Sequence, residues 1–209
     1  MLNKTFYLLL SLFYYYALGQ VQDGDRWAYN KILPYSFEEE AIDVLKYYPE
    51  LKDTYIEFKY KRLPDAIMQT QPTLFSLIFR KKNHRRYKIY INILPSIDAP
   101  LEDFPKNVIK GILAHEFAHI CYYLQRSNLG LIVDFLRYPV NCPFKKEFER
   151  NTDIIAIQHG LGKYLKEAWQ YTGFDAPLSD VMKAKKRFYY LSPLEIEKQM
   201  KKFSISKEK

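Results

Sequence analysis

From Ile112 to Cys121 the residues Ile112, Leu113, Ala114, Phe117, Ala118, Ile120 and Cys121 are all uncharged. The only charged or titrating groups there, besides one weak thiol, are His115, Glu116 and His119. The surrounding pattern has a helical period, with Ile109, Leu113, Phe117, Ile120 and Leu124 as the core stripe. Asp103 or Phe104 is positioned to cap this helix, Pro105 falls in its first turn, and Asn128 to Gly130 read as the stop beyond Gln125. At 3.6 residues per turn, His115 and His119 stack on one face about 6 Å apart, where two imidazoles can take adjacent corners of a zinc tetrahedron. Glu116 is turned about 100° away, too far round to join them easily as a ligand but able to reach a water beside the metal. A chance His-Glu-x-x-His would arise in about half a percent of shuffled chains of this composition, so the pattern needs its context, and its context agrees.

The rest of the chain reads as one helix, a small antiparallel sheet, then helices only, an α+β order. With 209 residues, 48% hydrophobic and 27% charged, one core suffices, and residues 20–209 are expected to form a single domain. Ser36 with Glu39 forms a capping-box pattern that opens a helix to about Tyr48, where Pro49 stops it. Strands are expected at Tyr55 to Lys61, Leu74 to Arg80 and Arg86 to Ile93, the last two flanking Lys81 to Arg85 as a hairpin loop. Tyr87, Ile89, Ile91 and Ile93 alternate with more polar residues. Beyond the central helix, further helices are expected from Asn141 to Gly160, about Leu161 to Tyr171, Leu178 to Leu191, and after Ser192, whose partner in a second capping box is Glu195.

Hydrolytic zinc needs a third protein ligand and an open fourth position. Glu149 and Asp153 stand four residues apart on one face of the Asn141 to Gly160 helix, with the small Ala156 continuing that face. Glu149 is assigned as the ligand, and Asp153 as the carboxylate that accepts the far N–H of a ligating histidine and so fixes its tautomer. Asp153 as the ligand is the competing assignment, and a solvated acidic pair beside Arg150 is the one without metal. Glu147 points off the face, and the helix C-terminus accounts for His159 without metal.

His115-Glu116-x-x-His119 followed by Glu149-x-x-x-Asp153 resembles the gluzincin branch of the zincin metallopeptidases, over the stretch from Arg86 to Gly160. The resemblance implies a zincin-like fold, Zn2+ held by His115, His119 and Glu149, water activation by Glu116, and pairing of extended peptide substrate with the strand Tyr87 to Ile93. The metzincin branch fits less well, since its pattern has Gly and His where this chain has Tyr122 and Gln125. Two departures stand out: Thr152 replaces the small residue common before the aspartate, and no downstream His or Tyr is identifiable as an oxyanion partner, Tyr138, Tyr164 and Tyr171 being the candidates.

Residues 1–19 carry Lys4, an apolar run from Phe6 to Leu18 and a small-x-small site at Ala17-Leu18-Gly19, which reads as a secretory signal peptide, with an uncleaved anchor as the alternative. A secreted or periplasmic location permits a Cys121–Cys142 bridge, which would close a loop of about 20 residues and stabilise by about 3 kcal/mol; two free thiols are the other reading. The net charge of +8 is concentrated late, from Lys183 to Lys209. No nucleic-acid motif accompanies it, and a solvated face explains it. The expectation is therefore an exported zinc metallopeptidase acting on a peptide or protein substrate, without a stable membrane span after signal removal. An exported zinc-binding or scaffolding module is its rival.

Overall fold

The structure, a computed structural model, describes residues 23–64, 66–93 and 100–207. The expected leader, residues 1–19, lies outside them. In chain order the elements are α1 (Asp23–Ala28), β1 (Lys31–Ile32), α2 (Glu38–Leu45), β2 (Tyr55–Lys61), β3 (Met68–Pro72), α3 (Leu74–Phe79), β4 (Arg86–Asn92), α4 (Lys106–Gln125), α5 (Asn128–Arg137), α6 (Cys142–Gln158), α7 (Gly162–Gln170), α8 (Asp180–Tyr189) and α9 (Pro193–Lys207). The chain is mixed α+β, mostly helical, with one small four-stranded sheet.

The sheet has the order β1-β2-β4-β3, and the expectation of an antiparallel sheet is corrected. β1 pairs with β2, and β2 with β4, in parallel; only β3 and β4 run antiparallel. The cause lies between β2 and β4. That interval holds β3 and α3, a connection long enough to return the chain in the same direction. The apolar run from Leu74, expected to be a strand, is the helix α3, whose Thr73 side chain accepts from the Ser76 N–H as an N-cap. A short apolar run is compatible with either structure by periodicity, and here the cap decides. β3, with Gln69, Thr70, Gln71 and Pro72, carries little strand signal, and as an edge strand it tolerates its terminal proline. Lys81 to Arg85 is accordingly no hairpin loop but a 3-10 turn, Lys82–His84, leading from α3 into β4.

Helix α4 runs through the middle of the molecule. Ile109, Leu113, Phe117 and Ile120 are buried as the stripe requires, but so are Ile112, Ala114 and Ala118 on other faces, because β3, α2, α6 and α7 all pack against it. Its closest neighbour is α7. A Cβ at Gly111 would lie 2.1 Å from the Tyr164 carbonyl oxygen and 2.6 Å from the Ala168 Cβ, so only glycine permits this approach.

Capping explains where the other helices begin. α4 ends at Gln125 as expected, but Asn128 to Gly130 is the start of the next helix rather than a stop. Ser127 accepts from the Gly130 N–H and starts α5. Asn141 caps α6 through the Phe144 N–H, and Gly160, at φ 85°, follows its end. The second capping box forms: Glu195 Oε2 accepts from the Ser192 N–H, and Ser192 Oγ from the Glu195 N–H. The first does not, since Ser36 Oγ donates to Glu102 Oε1 and α2 is entered from a 3-10 turn, Tyr35–Phe37. Arg85, fully buried, donates to the carbonyls of Tyr123 and Arg126 and so closes the C-terminal end of α4.

Candidate metal centre

α4 and α6 lie against each other so that His115, His119 and Glu149 converge. Glu149 Oε2 is 3.0 Å from His115 Nε2 and 3.5 Å from His119 Nε2. The two imidazoles meet edge to face, with centroids 4.5 Å apart. One donor atom from each of the three residues lies within 4.8 Å of the others, near the separations of about 3.3–3.7 Å along the edges of a zinc tetrahedron. All three side chains are buried.

The opposite nitrogens of both rings are held. His115 Nδ1 lies 2.9 Å from Asp153 Oδ1, which also accepts from Trp169 Nε1, while Asp153 Oδ2 accepts from the Leu191 N–H. Each of these partners donates, so Asp153 is committed as an acceptor behind the ring and its oxygens are occupied away from the Glu149 side. His119 Nδ1 lies 3.2 Å from Thr152 Oγ1. That hydroxyl spends its proton on the Phe148 carbonyl, so its oxygen accepts from the ring. Both histidines therefore carry Nδ1–H and turn Nε2, the atom a metal would use, to the same place. Thr152, noted in the sequence only as a departure, is thus the counterpart of Asp153 for the second histidine.

The charges at this focus favour a proton or a cation between the carboxylates. Burial opposes a proton on His115, but its hydrogen bonds to Asp153 and Glu149, together with their negative charge, outweigh it and raise the pKa to about 9. Burial likewise opposes charge on Glu149, and His115 and His119 overcome it, holding the carboxyl well below its usual range. Two buried carboxylates around one imidazole thus retain a proton where two Nε2 atoms and Glu149 Oε2 would otherwise face a metal ion. The donor set, two imidazoles and a carboxylate, suits zinc.

Glu116 points elsewhere, as its position on the helix requires. Its Oε2 accepts from Thr70 Oγ1 at 2.6 Å, and Tyr123 OH donates to the Thr70 carbonyl, which ties α4 to β3 beside the histidines. Glu116, His119 and Glu149 open into one cavity of about 330 Å³. Met68 to Gln71 of β3 form one wall, and Tyr138, Lys186 and Tyr190 stand in the others. β4, the strand implied to bind substrate, is paired on both sides, by β2 and β3. This corrects the assignment of Tyr87 to Ile93: the sheet edge bordering the cavity belongs to β3.

Of the three candidate tyrosines, Tyr138 hydrogen-bonds Glu149 Oε1 and lines the cavity. Tyr171 packs on Phe104, and the Tyr164 ring lies beside Lys110. Two cavity groups carried no sequence signal at all. Tyr190 lies 5.1 Å from the His115 ring, and Lys186 Nζ stands 4.1 Å from the Tyr190 ring and 4.2 Å from that of Trp169. Burial lowers the Lys186 pKa, partly offset by Glu116, Glu149 and Asp153.

The Cys121–Cys142 bridge is not formed; both thiols are free. Cys121 is buried on α4 near Glu50, whereas Cys142 is exposed at the start of α6 beside Tyr189. Among the described residues no helix is long and apolar enough to cross a membrane. No protein-family model, curated protein or solved structure matches this chain.

Proposed function

We propose that the protein is an exported zinc-dependent peptidase. The observation that carries this reading is the pair of imidazoles, each with Nδ1 anchored and Nε2 facing Glu149, with Glu116 alongside in the same cavity. His115, His119 and Glu149 would hold the ion. Bound zinc supplies Lewis acidity, lowering the pKa of a water to about 7 and polarising a carbonyl. Glu116, the cavity carboxylate outside the ligand set, takes the proton of the attacking water and returns it to the leaving amine. Thr70 Oγ1 holds one of its oxygens and keeps the other for that exchange.

The outer edge of β3 offers backbone groups for an extended peptide, and Lys186 and Tyr190 offer N–H and O–H donors to the charge that develops on the carbonyl oxygen. Export rests on the sequence of residues 1–19 and belongs to the same proposal. The deciding experiment is Glu116→Gln, assayed for zinc content and for cleavage of a broad peptide library. Retained zinc with hydrolysis lost supports the reading, and unchanged turnover overturns it. Zinc binding without cleavage by the wild-type protein favours a binding module instead.

A further inference from the structure

The face of α4 opposite the histidines carries a second group of ligand-type side chains. Cys121 follows His119 by two positions, about 200° round the helix, and is buried against the turn Pro49–Leu51. There its thiol faces the Glu50 carboxylate. His159, at the C-terminal end of α6, completes the group: its Nε2 lies 2.8 Å from Glu50 Oε1. One donor atom from each of Glu50, Cys121 and His159 lies within 4.8 Å of the others.

The histidine is prepared in the same way as those of the first site. Its Nδ1 donates to the Ile155 carbonyl at 2.8 Å, and a carbonyl can only accept, so the lone pair or shared proton sits on Nε2, facing Glu50. The ring is held in that orientation by stacking on Tyr48, with centroids 4.4 Å apart and planes 29° apart. Tyr48 is itself fixed, donating to the Ala114 carbonyl. A helix C-terminus alone would explain a histidine near Gly160, but not a ring pinned at Nδ1, stacked on one side and aimed at a carboxylate and a thiol.

We propose that Cys121, His159 and Glu50 form a second metal site, taking one zinc-class divalent ion and fastening the Pro49–Leu51 turn to α4 and α6. A sulfur, a nitrogen and an oxygen donor suit a borderline-soft ion, and they discriminate against magnesium and calcium, which take oxygen. Coordination breaks the Cys121 S–H bond and forms a metal–sulfur bond, and the proton leaves to solvent past the exposed Glu50. The half-exposed His159 and exposed Glu50 give the ion its path in.

The thiol makes this site separable from the first, which has none. The test is titration of metal-free, full-length protein with cobalt(II), followed by absorption spectroscopy and by zinc stoichiometry. Two equivalents are expected, one of them bringing a sulfur-to-cobalt charge-transfer band. Cys121→Ser should abolish the band and leave one equivalent, and His159→Gln, at a half-exposed position, should weaken that equivalent at least tenfold. Cys142→Ser should change neither. Glu149→Gln should remove or weaken the other equivalent and keep the band. Absence of the band in the wild type, or its survival in Cys121→Ser, overturns the proposal.

Discussion

Asp153 Oδ1 stands 2.9 Å from His115 Nδ1 and at the same time accepts from the Trp169 indole, while its other oxygen takes the Leu191 N–H. One carboxylate thus joins α6, α7 and the segment entering α9 behind a single imidazole. An amide in its place turns an N–H toward one of these donors and no longer favours the Nδ1–H tautomer. Asp153→Asn should therefore lower zinc affinity by about 10–100-fold in a chelator-competition titration. Unchanged affinity would show that the carboxylate does not orient the ring.

The metal-free protein should lose stability on the alkaline side, and zinc should cancel that loss. With the His115 pKa at about 9 in the folded chain and about 6.5 when unfolded, folding takes up a proton between those values. The stabilisation is complete below about pH 6.5 and is lost as pH rises through about 9. A metal ion replaces that proton. The gap in Tm between zinc-loaded and metal-free protein should widen from pH 6.5 to 9; a gap that narrows would contradict the shared focus.

These residues also show what a sequence exposes and what it hides. His115, Glu116 and His119 were legible because a helix converts fixed spacing into fixed direction, and Glu149 and Asp153 because the same rule places them on one face. Thr152 was visible but mute, since its role depends on a proton spent on Phe148. β3 was hidden because Gln69, Gln71 and Pro72 have no strand character of their own; its pairing with β4 makes it a strand. Lys186 and Tyr190 reach the cavity from a segment distant in sequence, where no local period marks them.

Gly111 is the position at which α4 cannot accept a side chain. The helix alone would gain up to about 1 kcal/mol from alanine. The added Cβ, however, would meet the Tyr164 carbonyl oxygen at 2.1 Å, a backbone atom that cannot step aside without moving α7. Gly111→Ala should therefore destabilise by about 1–3 kcal/mol net in urea unfolding. Because α7 carries Trp169, zinc affinity should fall with it. A stabilised variant would mean that α4 and α7 lie farther apart.

Lys186 stands both on the aromatic wall of Trp169 and Tyr190 and in the cavity shared by Glu116 and Glu149. The three site carboxylates favour its charge, yet partial burial still lowers its pKa, and a partly desolvated ammonium responds strongly to a new negative charge nearby. A donor that meets charge only as it develops acts on the rate of the chemical step rather than on binding. Lys186→Met preserves the length and apolar stem of the side chain while removing the donor. It should lower kcat by about 100-fold with KM changed little and zinc content unchanged. A rise in KM at constant kcat would instead make Lys186 a ground-state substrate contact, and loss of zinc would make its role structural.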